Sequence, residues 1–222
     1  LELYHLQHQK WMKISLLSAF LLMLCSACQP AGQSPKAEAI GDGRQKAGGD
    51  FVLVPGKRIG PLYAAHSLEN DLVQTFGPQN VKRQDIYLGE GALAPGFVIF
   101  GDTRNEVEVY YDSSLVKDRP AFLRISQEGT DWKTAEGISI GTSLAELEKI
   151  NGKPITFLGF GWDYGGAVSS WNGGKMNPDL MIVLTDTRNT TPESLLGDRE
   201  ISSTNPEVDA KRIKVSIINL RL

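Results

Sequence analysis

The chain has 222 residues, with 23 Lys+Arg against 26 Asp+Glu, a formal charge of −3, 41% hydrophobic and 8% aromatic content. That composition is ordinary for a globular protein, outside the ranges of disordered, collagen-like or coiled-coil chains, and the length suits one or two small domains. No concentrated basic run is present to displace counterions from a phosphate backbone, so nucleic acid is not an expected partner.

The first element in chain order is an apolar run from Ile14 to Leu24, opened by Met12 and Lys13 and closed by Cys25, Ser26, Ala27 and Cys28. It falls short of the roughly 20 residues needed to span a bilayer and has the positive start and small-residue end of a signal peptide. Translation is expected to start at Met12, leaving residues 1–11 as a non-native prefix outside the fold and 12–27 as the signal. Ser26-Ala27-Cys28 resembles the bacterial lipobox, with Cys25 standing where that motif normally has Leu. The resemblance implies that Cys28 receives the lipid, a palmitate-bearing membrane anchor in a bacterial cell envelope, and Gln29 after it points to the outer membrane, facing the periplasm. The alternative is an ordinary secretory signal cut near Ala27. Either way no second thiol remains for a disulfide, and stability must come from packing.

Residues 29–50 hold five Gly, two Pro and no aromatic. Such a segment cannot bury enough apolar surface to offset its ordering entropy. Residues 28–50 therefore read as a lipidated Cys and flexible tether, about 25 Å in reach for a Gly-rich coil.

From Phe51 onward the chain reads as two passes through one plan, residues 51–135 and 136–222. Phe97 to Asn105 aligns with Met181 to Asn189, each an apolar strand followed by Asp-Thr-Arg-Asn, and each lies downstream of a short amphipathic helix that ends in Gly. The first helix runs from Ser67 to Phe76, with Leu68, Leu72 and Phe76 on one stripe before Gly77 and Pro78. The second starts at Ser143, which forms a Ser-x-x-Glu capping box with Glu146, carries Leu144, Leu147 and Ile150 on its stripe, and stops at Gly152 and Pro154. Gly77 precedes Asp102 by 25 residues and Gly152 precedes Asp186 by 34, as a tandem duplication with an inserted loop would give. Strands are expected at Asp85–Leu88, Phe97–Phe100, Glu106–Tyr111 and Phe122–Ser126, then at Ile155–Leu158, Ala167–Trp171, Leu180–Thr185 and Arg212–Leu220. The expected class is α+β, two tandem repeats, each a short helix packed on an antiparallel β-meander.

Gly137 to Leu147, followed by Gly152-Lys153-Pro154, is similar to the repeat of β-lactamase-inhibitor-like envelope proteins and of SmpA/OmlA-type lipoproteins of outer-membrane assembly. That resemblance implies fold far more than activity, and implies action by binding other proteins rather than by catalysis.

Little in the remaining chemistry suggests an enzyme. His66 is the one histidine outside the prefix and stands next to a helix cap, where a structural role outweighs a catalytic one. His/Cys metal sites are excluded by count, no cofactor is expected, and Asp102 and Asp186 read as turn residues. A carboxylate hydrolase built around Asp163 finds no supporting spacing. Two segments occur in only one copy. Gly159 to Gly166 and the following Trp171 to Gly174 hold Trp162, Asp163, Tyr164 and Trp171 among glycines, either as a partner-binding site or as filling between the repeats. Thr190 to Ala210 is a long polar stretch, either functional or mobile. The function expected is that of a non-catalytic binding module for a protein or cell-wall partner, held at the membrane through Cys28; the alternative is a structural component of outer-membrane assembly or envelope integrity.

Overall fold

Alternating burial along β6 (Val107–Tyr110) and β7 (Phe122–Ile125) shows how the sheet is built: Val107, Val109, Leu123 and Ile125 point inward and are fully buried, while Glu108, Tyr110, Phe122 and Arg124 take the opposite face. The computed structural model describes residues 49–64, 69–111 and 122–222, all within one compact unit, Arg44–Leu222. Cys28 and His66 lie outside the described residues. The described residues mix α and β and form mostly antiparallel sheet with two α-helices, α1 (Glu69–Phe76) and α2 (Leu144–Asn151).

The main sheet has six antiparallel strands in the order β11 (Leu180–Asp186), β13 (Ile213–Leu220), β7, β6, β5 (Ala92–Ile99), β4 (Val81–Gly89). The strands that follow α1 form the meander β4-β5-β6-β7. Those that follow α2 divide. β9 (Thr156–Leu158) lies between β10 (Val168–Ser170) and β12 (Glu200–Ser202) in a three-stranded sheet, which an isolated bridge, Ala167 to Val183, ties to β11. A third sheet, β3 (Leu62–Tyr63), β2 (Arg58–Ile59), β1 (Val52–Val54), β8 (Lys133–Thr134), ends in the parallel pair β1:β8. One core gathers side chains from all three sheets and both helices.

The helix termini follow their sequence chemistry. Ser143 Oγ accepts the Glu146 N–H at 3.3 Å, and the Glu146 carboxylate accepts the Ser143 N–H at 2.8 Å, completing the capping box. Gly152 takes the left-handed conformation, φ 75°, and its N–H donates to Glu148 O. Leu144 and Leu147 are fully buried and Ile150 packs at the margin; on α1, Leu72 and Phe76 do the same work, with Phe76 edge-on to Phe100 at 5.5 Å. Asn151, at the end of α2, is fully buried. Its Nδ2 donates to Lys153 O and Trp171 O at 3.0 and 2.9 Å, its Oδ1 accepts from Met176 N, and any side chain on Gly174 would collide with it. The amide thus fastens the helix to the 171–176 segment.

The structure adds to the sequence reading in three places. The polar stretch after Thr190 is pinned: it contains a 3-10 turn at Glu193–Leu195 and β12, it buries Leu195 and Ile201, and Ser203 Oγ bridges the Ile155 N–H (2.8 Å) and Glu148 (2.5 Å). Asp50, read by composition as tether, is fixed by Arg58 Nη1 at 2.8 Å and by the Val52 N–H. The two Asp-Thr-Arg-Asn segments make unlike contacts. In the first, Arg104 reaches Asp131 at 2.8 Å and Asn105 takes the Asp131 N–H, while Asp102 is exposed with φ 59°. In the second, Arg188 turns back on its own Asp186 at 2.6 Å, and Asp186 also accepts the Arg188 N–H. Two strands separate Gly77 from Asp102 and three separate Gly152 from Asp186, so the matching tetrapeptides follow the second strand after α1 and the third after α2.

Two outcomes follow. Leu147→Ala should lower unfolding free energy by about 2–5 kcal/mol, as for a buried leucine, and a change below about 0.5 kcal/mol in denaturant titration would remove this helix face from the core. Burial pushes the Asp186 carboxyl up, but the hydrogen bonds and charge of Arg188 outweigh it and hold the group below its ordinary value. The unfolded chain therefore binds the proton first on acidification, so this stabilisation is present above the unfolded carboxylate pKa of about 3.9 and is lost as pH falls below it. Asp186→Asn should flatten that acid limb and cost about 1.5–3 kcal/mol at neutral pH, the range for hydrogen bonds to a charged group.

Candidate functional site

The glycine-flanked aromatics sit on the loop joining β9 to β10. Gly159 lies so close to the neighbouring chain that a Cβ would stand 2.5 Å from Gly197 O, and a side chain on Gly166 (φ 81°) would run into the Leu184 carbonyl. These close approaches let the loop be braced on two sides. Phe160 N donates to Leu195 O and Gly197 N to Phe160 O, at 2.8 and 2.9 Å; Gly166 N donates to Leu158 O and Leu184 N to Gly166 O, both at 2.8 Å. Within the loop, Gly165 N donates to Trp162 O and Ala167 N to Tyr164 O.

On this frame Trp162 and Tyr164 stand edge to face, centroids 5.4 Å apart and planes 72° from each other. Trp162 is half-buried and its Nε1–H donates to Gly159 O at 2.8 Å, so its polar end is satisfied inside the loop. Tyr164 is 59% exposed, and Asp163 between them is exposed. The structure therefore brings Trp162, Asp163 and Tyr164 together. Trp171 is elsewhere: it packs against the core, and its carbonyl is one of the groups held by Asn151. Phe160 is core as well, 5.5 Å from Phe157. The aromatic-rich segment thus divides, with Phe160 in the core and Trp171 half-buried against it while Trp162 and Tyr164 stay outside the core cluster.

A second surface was not singled out by sequence reasoning. On the face of the six-stranded sheet away from the core, the strand registers align Lys82, Val98, Glu108, Arg124, Asn219 and Met181 in one row across all six strands. Arg124 is its hub: Nε donates to Glu108 at 2.5 Å, Nη2 donates to Tyr87 O at 2.8 Å, and the guanidinium lies 5.8 Å from the Tyr110 ring centre. Tyr110 packs on Phe122 at 5.5 Å, and Arg221 covers Phe122 at 5.7 Å. Burial, the largest influence, raises the Tyr110 hydroxyl above its ordinary value, with Glu108 adding to it and Arg124 opposing. Asn219 Oδ1 is buried beside this row without a hydrogen-bond partner among the described residues. The only hint in the sequence was the alternation of Glu106, Glu108 and Tyr110 with buried valines.

Clefts open elsewhere among the described residues. One of about 450 Å³ is lined by Leu53, Pro55, Ile150, Met176 and Leu180 with Glu136 and Lys175; another of about 370 Å³ is lined by Ser126, Glu128, Thr185, Lys214 and Ser216. Among the described residues no group of three His, Cys, Asp or Glu side chains is placed to hold a metal ion, and no helix is long and apolar enough to cross a membrane. Comparison of the chain with protein-family models, with characterised proteins and with solved structures finds no match.

The division between core and displayed aromatics predicts opposite responses to one type of substitution. Trp132 is 1% exposed, edge-on to Phe51 at 4.8 Å, with its Nε1–H on Asn105 O. Trp132→Ala should cost about 3–5 kcal/mol. Trp162→Ala should leave the melting temperature within a few degrees of the unmodified protein, and a loss as large as that of Trp132→Ala would place Trp162 in the core.

Proposed function

We propose that the chain is a cell-envelope lipoprotein whose folded part is a non-catalytic binding module for a protein or cell-wall partner. The observation that carries this reading is the Trp162–Tyr164 pair, held outside the core on a loop hydrogen-bonded along both flanks. Trp and Tyr bury large area at low rotamer cost and are enriched at interface hot spots. A rigid display keeps their ordering entropy out of the binding step.

Attachment is through Cys28, in the outer membrane facing the periplasm, following the lipobox-like Ser26-Ala27-Cys28 and Gln29. The module descends from tandem repeats similar to those of β-lactamase-inhibitor-like and SmpA/OmlA-type proteins. Support for the duplication is that each helix precedes a run of antiparallel strands and that the last strands of the two runs, β7 and β13, lie antiparallel to each other, as two-fold-related copies would. The unlike contacts of the two tetrapeptides are then later divergence.

Fractionation tests the anchor: Cys28→Ser should move the protein from the membrane to the soluble periplasmic fraction and abolish labelling by a fatty-acid probe. Retention of the variant in membranes would refute it. Crosslinking in intact envelopes, followed by purification, tests the module. A stoichiometric partner should be captured with the unmodified protein and lost with Trp162→Ala, at a cost of about 2 kcal/mol or more, the usual hot-spot threshold. Equal capture by both would remove this loop as the binding site.

A further inference from the structure

β4 forms one edge of the six-stranded sheet, and two hydrogen bonds fix which of its backbone groups face outward. Phe100 N donates to Asn80 O at 2.8 Å, and Tyr111 N donates to Pro95 O at 3.2 Å. Combined with the register that sets Val81 on Ile99 and Arg83 on Phe97, they commit the even-numbered residues of β4 to β5. The amide groups of Val81, Arg83 and Asp85 therefore point away from the sheet. Lys82 to Asp85 are exposed, and among the described residues no strand pairs with this edge.

The side chains along that edge are self-complementary. If a second copy pairs antiparallel about a two-fold axis at Gln84, Arg83 falls opposite the partner's Asp85 and Asp85 opposite the partner's Arg83. Val81 meets the partner's Tyr87 at each end. Odd-numbered residues face odd-numbered residues in this register, as hydrogen-bonded rungs between the free amide groups require. A two-residue shift either way defeats it, because a centre at Arg83 opposes that cation to itself and a centre at Asp85 opposes the carboxylate to itself. Arg83 is poised for such a contact: its side chain is 73% exposed, 3.5 Å from Glu69 and 6.0 Å from the Phe97 ring centre. Asp85 has no ion-pair partner among the described residues, and Tyr87 is 56% exposed. Arg124 already holds the Tyr87 carbonyl, so the ladder consists of the Arg83–Asp85 rungs.

We propose that β4 is a homodimerisation edge, through which two copies of this chain join antiparallel into one continuous sheet. Charges on an edge strand ordinarily keep other strands away. Here the same charges reject shifted registers and match a second copy, which gives a closed, isologous contact rather than a growing fibre.

Sedimentation of the full chain in mild detergent should show a concentration-dependent dimer. Arg83→Asp and Asp85→Arg each oppose like charges across the two-fold and should weaken it about tenfold or more. Both sites are exposed, so the melting temperature should hold. An equimolar mixture of the two variants, and the double exchange R83D/D85R, should restore association, because every opposed pair then joins unlike charges. A monomer at all concentrations, dimers of either single variant as tight as the unmodified protein's, or a mixture no tighter than its components would each overturn the proposal.

Discussion

The seam between β13 and β7 is the contact on which the rest of the sheet depends, because it joins the strands of the first half of the chain to those of the second. Along one side β13 pairs with β11 over seven rungs; along the other it meets β7 through Ile218–Ile125, Asn219–Arg124 and Leu220–Leu123. Where β7 leaves, the approach to α2 takes its place: Gly141 N donates to Val215 O, and Val215 N donates to Thr142 O, both at 2.8 Å. One strand cannot serve these neighbours in strict alternation. Val183 pairs with Ile217 and Leu184 with Val215, leaving Ser216 as an extra residue whose hydroxyl bonds Val183 O. That bulge changes the inward positions from Ile213 and Val215 to Ile218 and Leu220, so both ends of β13 reach one core.

The parts of this arrangement written locally were legible in the sequence. The capping box, the glycine stops and the apolar stripes place both helices, with Ser67 and Leu68 outside the described residues, and every strand of the main sheet overlaps an expected one, although β4 begins at Val81 rather than Asp85 and β5 at Ala92 rather than Phe97. β1, β2, β3, β8 and β12 did not show, since strands of two or three residues have few positions for periodicity, and β8 and β12 are defined by partners far along the chain. The tetrapeptides mark the same limit from the other side. Their identical letters correctly signalled a turn after an apolar strand, but Arg104 finds Asp131 where Arg188 finds its own Asp186, because only the first lies against the 130–132 loop. A local match fixes local conformation; what a long cationic side chain reaches is decided by tertiary neighbours.

The same distinction explains the candidate site. Glycine and tryptophan alternating between Gly159 and Gly174 announced side chains that their immediate neighbours could not bury, and sequence could not say which would be buried by distant ones. The fold settles it through backbone proximity. Gly159 and Gly166 lie against the Gly197 and Leu184 carbonyls, so the loop is clamped between the 195–199 segment and β11. Phe160, inside the clamp, turns to the core, while Trp162, beyond it, closes its indole N–H onto the loop itself. Its stability contribution is largely local, which leaves its exposed edge and Tyr164 free to vary in use without disturbing the sheet.

The sheet face opposite the core poses a different physical problem, since its middle strands are half-buried and, among the described residues, no helix packs over them. A fully apolar row there would be an adhesive patch; an uncompensated charge would be poorly solvated. Arg124 resolves both through its shape. The planar guanidinium stacks toward Tyr110, donates to Glu108 within its own row and reaches the Tyr87 carbonyl beyond β5, drawing the β4–β5 hairpin toward the middle of the sheet. Gly96 permits this approach, because Ile86 rests where its side chain would be. A lysine could supply the charge but not the flat face and forked donors together, so this set of contacts is tied to arginine specifically.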